Sequence, residues 1–145
     1  MKTWILVASS AEAKILTTDN LRIGELEIVR EFSHPESRIK TSDLMSGKPG
    51  HYKTDNGMRG AYSKNDPKEV EAEHFAFELA HELKIGWDQN QYKSLLIVAP
   101  SHFYGLIKKH FHDHKIVELD HISKDYTKYT LFELHDSLKK HLFAV

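Results

Sequence analysis

The chain has 145 residues, of which 40% are hydrophobic and 28% are charged. That length can bury one ordinary hydrophobic core, so we expect residues 1–145 to form a single domain. The chain contains no cysteine, which excludes disulfide bonds and thiolate metal sites and favours a cytoplasmic location. Its net charge of −1, with histidine neutral, excludes a global positive field for holding a nucleic acid, so DNA is not an expected partner.

The first apolar run predicts a buried strand and no membrane segment. Residues 4–8 are continuously apolar, but Ser9, Ser10 and Glu12 interrupt the run too early for a signal peptide. No other apolar run approaches the roughly 20 residues that cross a bilayer. We therefore expect no insertion into a membrane.

Two further strands follow the first at short intervals. Residues 11–17 alternate small or apolar with polar side chains after the Ser9-Ser10 turn. Residues 26–32 resume a strand pattern after the turn residues Asp19 and Asn20. Three successive strands with short links predict an antiparallel meander.

A helix is predicted from residue 67 to residue 86. Asp66 can cap its N-terminus, Pro67 suits its first position, and acidic residues favour the positive end of the helix dipole in the first turns. Apolar residues such as Phe75 and Leu79 then follow helical spacing. Gly86 is expected to end the helix.

The second half of the chain alternates strands and helices. Residues 94–99 are apolar on both faces, which predicts a central strand. Residues 101–110 predict a helix, residues 116–122 a strand, and residues 130–142 a closing helix with Leu131, Leu134, Leu138 and Leu142 on one side. The order β-β-β-α-β-α-β-α predicts an α/β fold with a mixed five-stranded sheet and helices packed on it, the ribonuclease-H-like arrangement.

Residues 33–68 are a polar, glycine-containing loop far longer than an ordinary connection, which marks it as functional or mobile. Its glycines allow a phosphate to approach closely, its cations make it locally basic, and its tyrosines offer stacking surfaces for bases. The alternative is an ordinary solvent-exposed loop, because the glycines of this loop match no phosphate-binding sequence motif. The predicted nucleic-acid contacts are Arg38, Lys40, Lys48, Gly50, Tyr52, Lys53, Gly57, Arg59 and Tyr62.

One histidine-rich segment has the groups to bind a metal ion. His110, His112 and His114 are candidate ligands for a divalent metal, although a solvated basic helix end explains the same residues. A metal nuclease of this arrangement needs a carboxylate on the first strand, and residues 4–8 contain none. Ser101 and His102 lack the nucleophile-elbow sequence of a serine hydrolase. The residues therefore predict no catalytic site and no cofactor.

Five short motifs follow one another along the chain, at residues 4–16, 66–68, 73–80, 99–106 and 124–127. In this order they resemble the bacterial host attachment protein family. That resemblance spans nearly the whole chain and implies a fold akin to the central domain of archaeal and eukaryotic class-1 peptide-chain release factors. In those factors a Gly-Gly-Gln loop, at the place of residues 33–68, helps water to attack the peptidyl-tRNA ester. This chain has no Gly-Gly-Gln, so the resemblance implies the scaffold without the hydrolysis.

Three functions are compatible with these observations. The first is a non-enzymatic module that binds structured RNA or the ribosome through its basic loop. The second is a protein–protein adaptor that contributes indirectly to host-cell attachment, as the family label implies. The third is a hydrolase that acts on an ester through the loop or through a metal ion at His112 and His114. The missing Gly-Gly-Gln favours the first function, and an enzymatic activity is the less expected outcome.

Overall fold

The computed structural model describes residues 2–35, 66–111 and 116–143. Five strands and three helices lie within these ranges, in the order predicted from the sequence. They are β1 (Thr3–Ala8), β2 (Glu12–Thr18), β3 (Glu27–Ser33), α1 (Pro67–Asp88), β4 (Ser94–Val98), α2 (Ser101–His110), β5 (Val117–Ile122) and α3 (Leu131–Phe143).

The strands form one mixed sheet in the spatial order β3-β2-β1-β4-β5. The first three strands pair antiparallel, which confirms the meander. Strand β4 pairs parallel with β1 on one side and with β5 on the other, and all five of its residues are buried. The predicted α/β fold with a mixed five-stranded sheet is therefore confirmed, and so is the central position of β4.

Helices cover both faces of the sheet because side chains alternate along each strand. Trp4, Leu6 and Ala8 of β1 belong to a buried cluster that includes residues of α1 and α2. Ile5 and Val7 point to the opposite face, where α3 closes a second cluster. The core therefore consists of two layers separated by the sheet.

The predicted end of α1 at Gly86 is wrong. The helix continues to Asp88, and Gln89 is its C-cap. Gly86 is buried against Trp4, and a Cβ built on it would lie 2.4 Å from the Cη2 atom of that ring. A glycine is present here because the indole leaves no room for a side chain.

The predicted apolar side of α3 is only partly correct. Leu134 and Leu138 are buried against the sheet, and Leu142 packs at the rim of the same cluster. Leu131 is 39% exposed because it is the first residue of the helix. None of the helices in the described ranges combines the length and the apolar composition that spanning a membrane requires.

Candidate functional site

The candidate site lies at the edge of the sheet where the parallel strands end. Strands β1, β4 and β5 are followed there by Ser9, Ala99 and Ser123, and we call this the carboxyl edge. The chain leaves β1 towards β2 on one side and leaves β4 towards β5 on the other. Ligands of open α/β sheets bind where the connections diverge in this way, so the carboxyl edge is the first place to look for function.

Both described ends of the long loop are fixed at the carboxyl edge. After β3, the backbone N–H of His34 donates to the Ala11 carbonyl at 2.8 Å, and its Nε2 lies 2.8 Å from Glu71 Oε1. The His34 ring also stacks on Phe75, with the ring centroids 5.2 Å apart. At the other end, Asp66 Oδ1 accepts from the backbone N–H of Lys68 and caps α1. The first turn of α1 lies beside the start of α2, because Glu69 bonds to His102. The described chain therefore reaches the carboxyl edge both before and after residues 36–65.

Glutamates of α1 also join this helix to α2. Glu69 Oε2 lies 2.9 Å from His102 Nε2, and Glu73 Oε2 lies 3.0 Å from His110 Nε2. Lys109 Nζ donates to Glu73 Oε2 at 2.6 Å. The hydrogen bonds from Lys109 and then His110 lower the pKa of Glu73, because they stabilise its charged form. This outer surface of α1 and α2 therefore carries a lysine–glutamate ion pair and two histidine–glutamate hydrogen bonds.

Hydroxyl groups line the carboxyl edge next to α2. The Oγ atoms of Ser101 and Ser123 lie 2.6 Å apart and join the start of α2 to the end of β5. The Ser9 Oγ accepts from the backbone N–H groups of Ala11 and Glu12 and shapes the β1–β2 turn. Helix α2 begins without a side-chain cap and without an acidic residue in its first turn. This part of the edge is polar, and the first turn of α2 contributes no acidic residue of its own, although Glu69 of α1 bonds to His102 in that turn.

A second network holds α2 against β5. The rings of Tyr104 and His121 stack with centroids 3.6 Å apart, and the Tyr104 hydroxyl donates to Glu118 Oε2 at 2.7 Å. Burial, the hydrogen bond to Glu118 and the nearby negative charges raise the pKa of Tyr104 to about 12. Lys108 Nζ lies 2.8 Å from Glu118 Oε1. A tyrosine that holds its proton this tightly braces the helix and is not poised to act as a base.

The largest set of predicted site residues lies outside the described ranges. It comprises the nine predicted nucleic-acid contacts Arg38, Lys40, Lys48, Gly50, Tyr52, Lys53, Gly57, Arg59 and Tyr62, together with the predicted metal ligands His112 and His114. Of the predicted metal ligands only His110 is described, and it pairs with Glu73. Within the described ranges no three histidine or acidic side chains are placed to hold a metal ion.

The remaining chemical candidates are occupied by structural contacts. The hydroxyl of Ser101 bonds to Ser123, whereas His102 bonds to Glu69, so the two neighbours form no Ser-His pair. A shallow groove of about 370 Å³ lies on the outer surface of α1 beside the end of α2, with Phe77 as its aromatic wall. The His110 ring lies nearly perpendicular to that ring, with the centroids 5.3 Å apart. Glu73, His74 and His110 also line the groove, and Glu73 and His110 are bonded to each other.

Sequence reasoning missed the pair of His34 and Glu71. These residues are 37 positions apart, and their side chains are each only 16% exposed. A local pattern cannot reveal such a pair, because it forms only when the crossover from β3 places α1 beside the end of that strand. The single available signal is that His34 directly precedes the long polar segment.

Comparison with known protein families decides what the chain belongs to. A family model described as "Protein required for attachment to host cells" matches residues 4–138. The chain belongs to this family. The match covers most of the chain, including all residues of the five strands except Thr3, and confirms the resemblance seen in the sequence motifs. No curated protein matches the chain.

Two solved structures resemble the chain at low sequence identity. An archaeal translation termination factor is 10% identical with a TM-score of 0.45, and the match covers 99% of this chain and 38% of that protein. A Ppx/GppA phosphatase of Aquifex aeolicus is 12% identical with a TM-score of 0.39, and the match covers 83% of this chain and 36% of that protein. The chain thus spans less than two fifths of the length of either protein.

Proposed function

We propose that this member of the host attachment family is a non-enzymatic module that binds structured RNA, as free RNA or within the ribosome, at its carboxyl edge. The contact is made by the basic segment 36–65. A role in attachment then follows indirectly, through effects on RNA or translation. The observation that carries the proposal is that the described chain reaches the carboxyl edge on both sides of this segment, at His34 and at the start of α1.

The distribution of charge supports the proposal. Segment 36–65 contains six Lys or Arg residues against three Asp or Glu residues, a net charge of +3. The other residues contain 14 against 18, a net charge of −4. Binding to a polyanion therefore requires that the RNA meet this segment first, because phosphates are attracted by local positive charge.

The neighbouring groups are compatible with a phosphate backbone. The start of α2 has no side-chain cap and no acidic residue in its first turn, and the Ser101 and Ser123 hydroxyls lie beside it. Backbone N–H groups and hydroxyls are common phosphate contacts in protein–nucleic acid complexes. No catalytic group is needed for such contacts.

The proposal is tested by co-sedimentation with ribosomes and by binding to labelled RNA at low and high salt. Replacing Lys48, Lys53 and Arg59 by Gln is expected to weaken binding at low salt by at least tenfold, because three phosphate contacts are lost. The matched control replaces Lys84, Lys93 and Lys140, which lie away from the carboxyl edge in the second half of α1, before β4 and in the last turn of α3. The control variant should bind like the wild type. If the triple variant of Lys48, Lys53 and Arg59 bound RNA with the affinity of the wild type, the proposal would be wrong.

A further inference from the structure

Residues 123–132 connect β5 to the first turn of α3, and we call them the edge segment. The segment has a defined local structure. Asp125 Oδ1 accepts from the backbone N–H of Thr127 at 3.0 Å and from its hydroxyl. Tyr126 and Tyr129 stack with centroids 4.5 Å apart at an interplanar angle of 13°, and the N–H of Tyr129 donates to the Tyr126 carbonyl. These contacts make the segment a rigid part of the carboxyl edge.

The edge segment is also bonded to β2, which lies three strands away from β5 in the sheet. Lys128 Nζ lies 2.6 Å from Glu12 Oε2, at the start of β2. Lys14 Nζ donates to the Tyr129 carbonyl at 3.5 Å. The segment therefore runs along the carboxyl edge from β5 to β2, next to the turn that follows β1.

Phe132 is the feature of this segment that the fold does not explain. Its side chain is 80% exposed, the highest value among the exposed large hydrophobic residues of the described ranges. Leu134 and Leu138 hold α3 to the sheet, and a residue two positions before Leu134 points roughly 200° away from that contact. Because Thr130 and Glu133 form reciprocal capping bonds at 3.1 Å and 2.9 Å, the helix start that presents the ring is well fixed.

The segment that leads to the ring is polar and carries two cations. Lys124 and Lys128 are exposed on it, Lys128 in its ion pair with Glu12, and Ser123 and Thr130 add hydroxyl groups. Within the described ranges Lys124 makes no ion pair, whereas the acidic Asp125 and Glu133 are engaged in turn and cap hydrogen bonds. Proteins hold unpaired bases on exposed aromatic rings and the backbone between them with nearby cations, and this segment offers one such ring and one lysine without an ion pair in the described ranges.

We propose that the edge segment binds single-stranded RNA, with one unpaired base stacked on Phe132 and a neighbouring phosphate held by Lys124. This inference rests on the proposed function and adds to it a second contact on described residues. It also specifies that the RNA is single-stranded, because a base inside a duplex cannot stack its face on a side chain. The loop supplies attraction to phosphate, and the edge segment selects unpaired bases.

The test compares an oligouridine with an RNA duplex of equal length, each labelled and titrated with protein at about 50 mM salt, a regime in which phosphate contacts are strong. Phe132→Ala is expected to weaken binding to the single strand by about 5- to 150-fold, the range for loss of one base–aromatic stack. Binding to the duplex should not change. Phe132→Tyr should retain the wild-type affinity, because a phenol ring stacks equally well.

Phe77→Ala is the matched control, since Phe77 is also well exposed, at 57%, but lies on α1 on the other face of the sheet. This variant should bind both RNAs like the wild type. A melting curve for each variant verifies that it remains folded, which is expected for exposed side chains.

The outcomes separate the inference from the proposed function. If the wild type binds RNA and Phe132→Ala binds the single strand equally well, the stacking inference is wrong while the proposed function stands. Equal losses on single strand and duplex would also overturn it. If Phe132→Ala lowers ribosome co-sedimentation but not oligouridine affinity, the ring contacts a protein and the inference fails. A wild type that binds neither RNA contradicts the proposed function itself.

Discussion

Gly86 and Gly105 both lie in helices but for different reasons. A Cβ on Gly86 would lie 2.4 Å from the Trp4 ring, whereas a Cβ on Gly105 would meet no atom within 4 Å. Trp4 cannot move aside easily, because it also stacks on Tyr92 with centroids 4.6 Å apart. Because Gly86 is closely packed and Gly105 faces open space, replacing each by alanine is expected to change the free energy of unfolding in opposite directions.

Gly86→Ala is therefore expected to lower the free energy of unfolding by about 1–3 kcal/mol, the usual cost of overpacking a core. Gly105→Ala should raise it by about 0.5–1 kcal/mol, because alanine loses less backbone entropy in a helix. Urea denaturation of the two variants measures both changes. Equal effects of the same sign would show that helix propensity, and not contact with Trp4, decides the role of Gly86.

Tyr104 gives the molecule a predicted pH dependence at the alkaline end. Its pKa is raised to about 12 in the folded state, mainly by burial and by its hydrogen bond to Glu118. A pKa raised on folding means that the folded state holds the proton more tightly. The associated stabilisation is complete below pH 10 and is lost as the pH rises from about 10 to about 12.

An ultraviolet titration should show one tyrosine ionising near pH 12, and Tyr104→Phe should remove that step. Glu118→Gln should shift the step towards pH 10, because it removes both the charge and the charged acceptor. The loss of stability between pH 10 and 12 should be smaller in Tyr104→Phe than in the wild type. A Tyr104→Phe protein with an unchanged titration curve would assign the high pKa to another tyrosine.

At the scale of elements, α3 alone covers the second face of the sheet among the described helices. Leu134 and Leu138 are buried there with Ile5 and Val7, whereas Leu131 remains 39% exposed. Leu138→Ala is expected to cost about 2–5 kcal/mol, because it leaves a cavity between helix and sheet. Leu131→Ala should cost less than about 1 kcal/mol, since its side chain is already partly in water.

Thermal or urea unfolding of the two variants measures the difference in stability cost. The comparison is direct because both positions undergo the same Leu→Ala substitution. The midpoint in urea should fall in Leu138→Ala without a change in slope, as expected when only stability changes. If Leu131→Ala cost as much as Leu138→Ala, the first turn of α3 would pack more closely than its exposure indicates.

These elements also show what the sequence can and cannot predict. Apolar spacing identifies each strand and helix and places Leu134 and Leu138 on one face, because that information is local. It cannot show that Leu131, at the first position of α3, stays partly exposed, or that the helix continues through Gly86 because this residue packs against Trp4. Both depend on where a distant element lies. The same reason hides the contact of His34 with Glu71, since 37 residues separate them in the chain.

For the whole molecule, the order of elements was sufficient to predict the sheet. Three strands with short links form a meander, and strands separated by helices add as parallel neighbours. The nine residues predicted to contact RNA lie outside the described ranges, so they stay a prediction. The connection of β3 to α1 determines that both described ends of this segment reach the carboxyl edge.

Charge then gives a prediction for the whole molecule. The net charge is +3 in segment 36–65 and −4 elsewhere. Most of the counterions that leave the RNA on binding should therefore be displaced by the cations of that segment. Each phosphate contact to a single strand contributes a slope of about −0.7 in a plot of log affinity against log salt. The six cations of the segment therefore limit its share of the slope to about −4.

Replacing Lys48, Lys53 and Arg59 by Gln should reduce the magnitude of that slope by about 2, because three contacts are removed. The variant of Lys84, Lys93 and Lys140 loses the same number of positive charges and should keep the wild-type slope. A decrease of equal size in both variants would mean that RNA responds to the net charge of the molecule. A decrease confined to the first variant means that RNA meets the positive segment, while the more negative remainder of the chain contributes little to ion release.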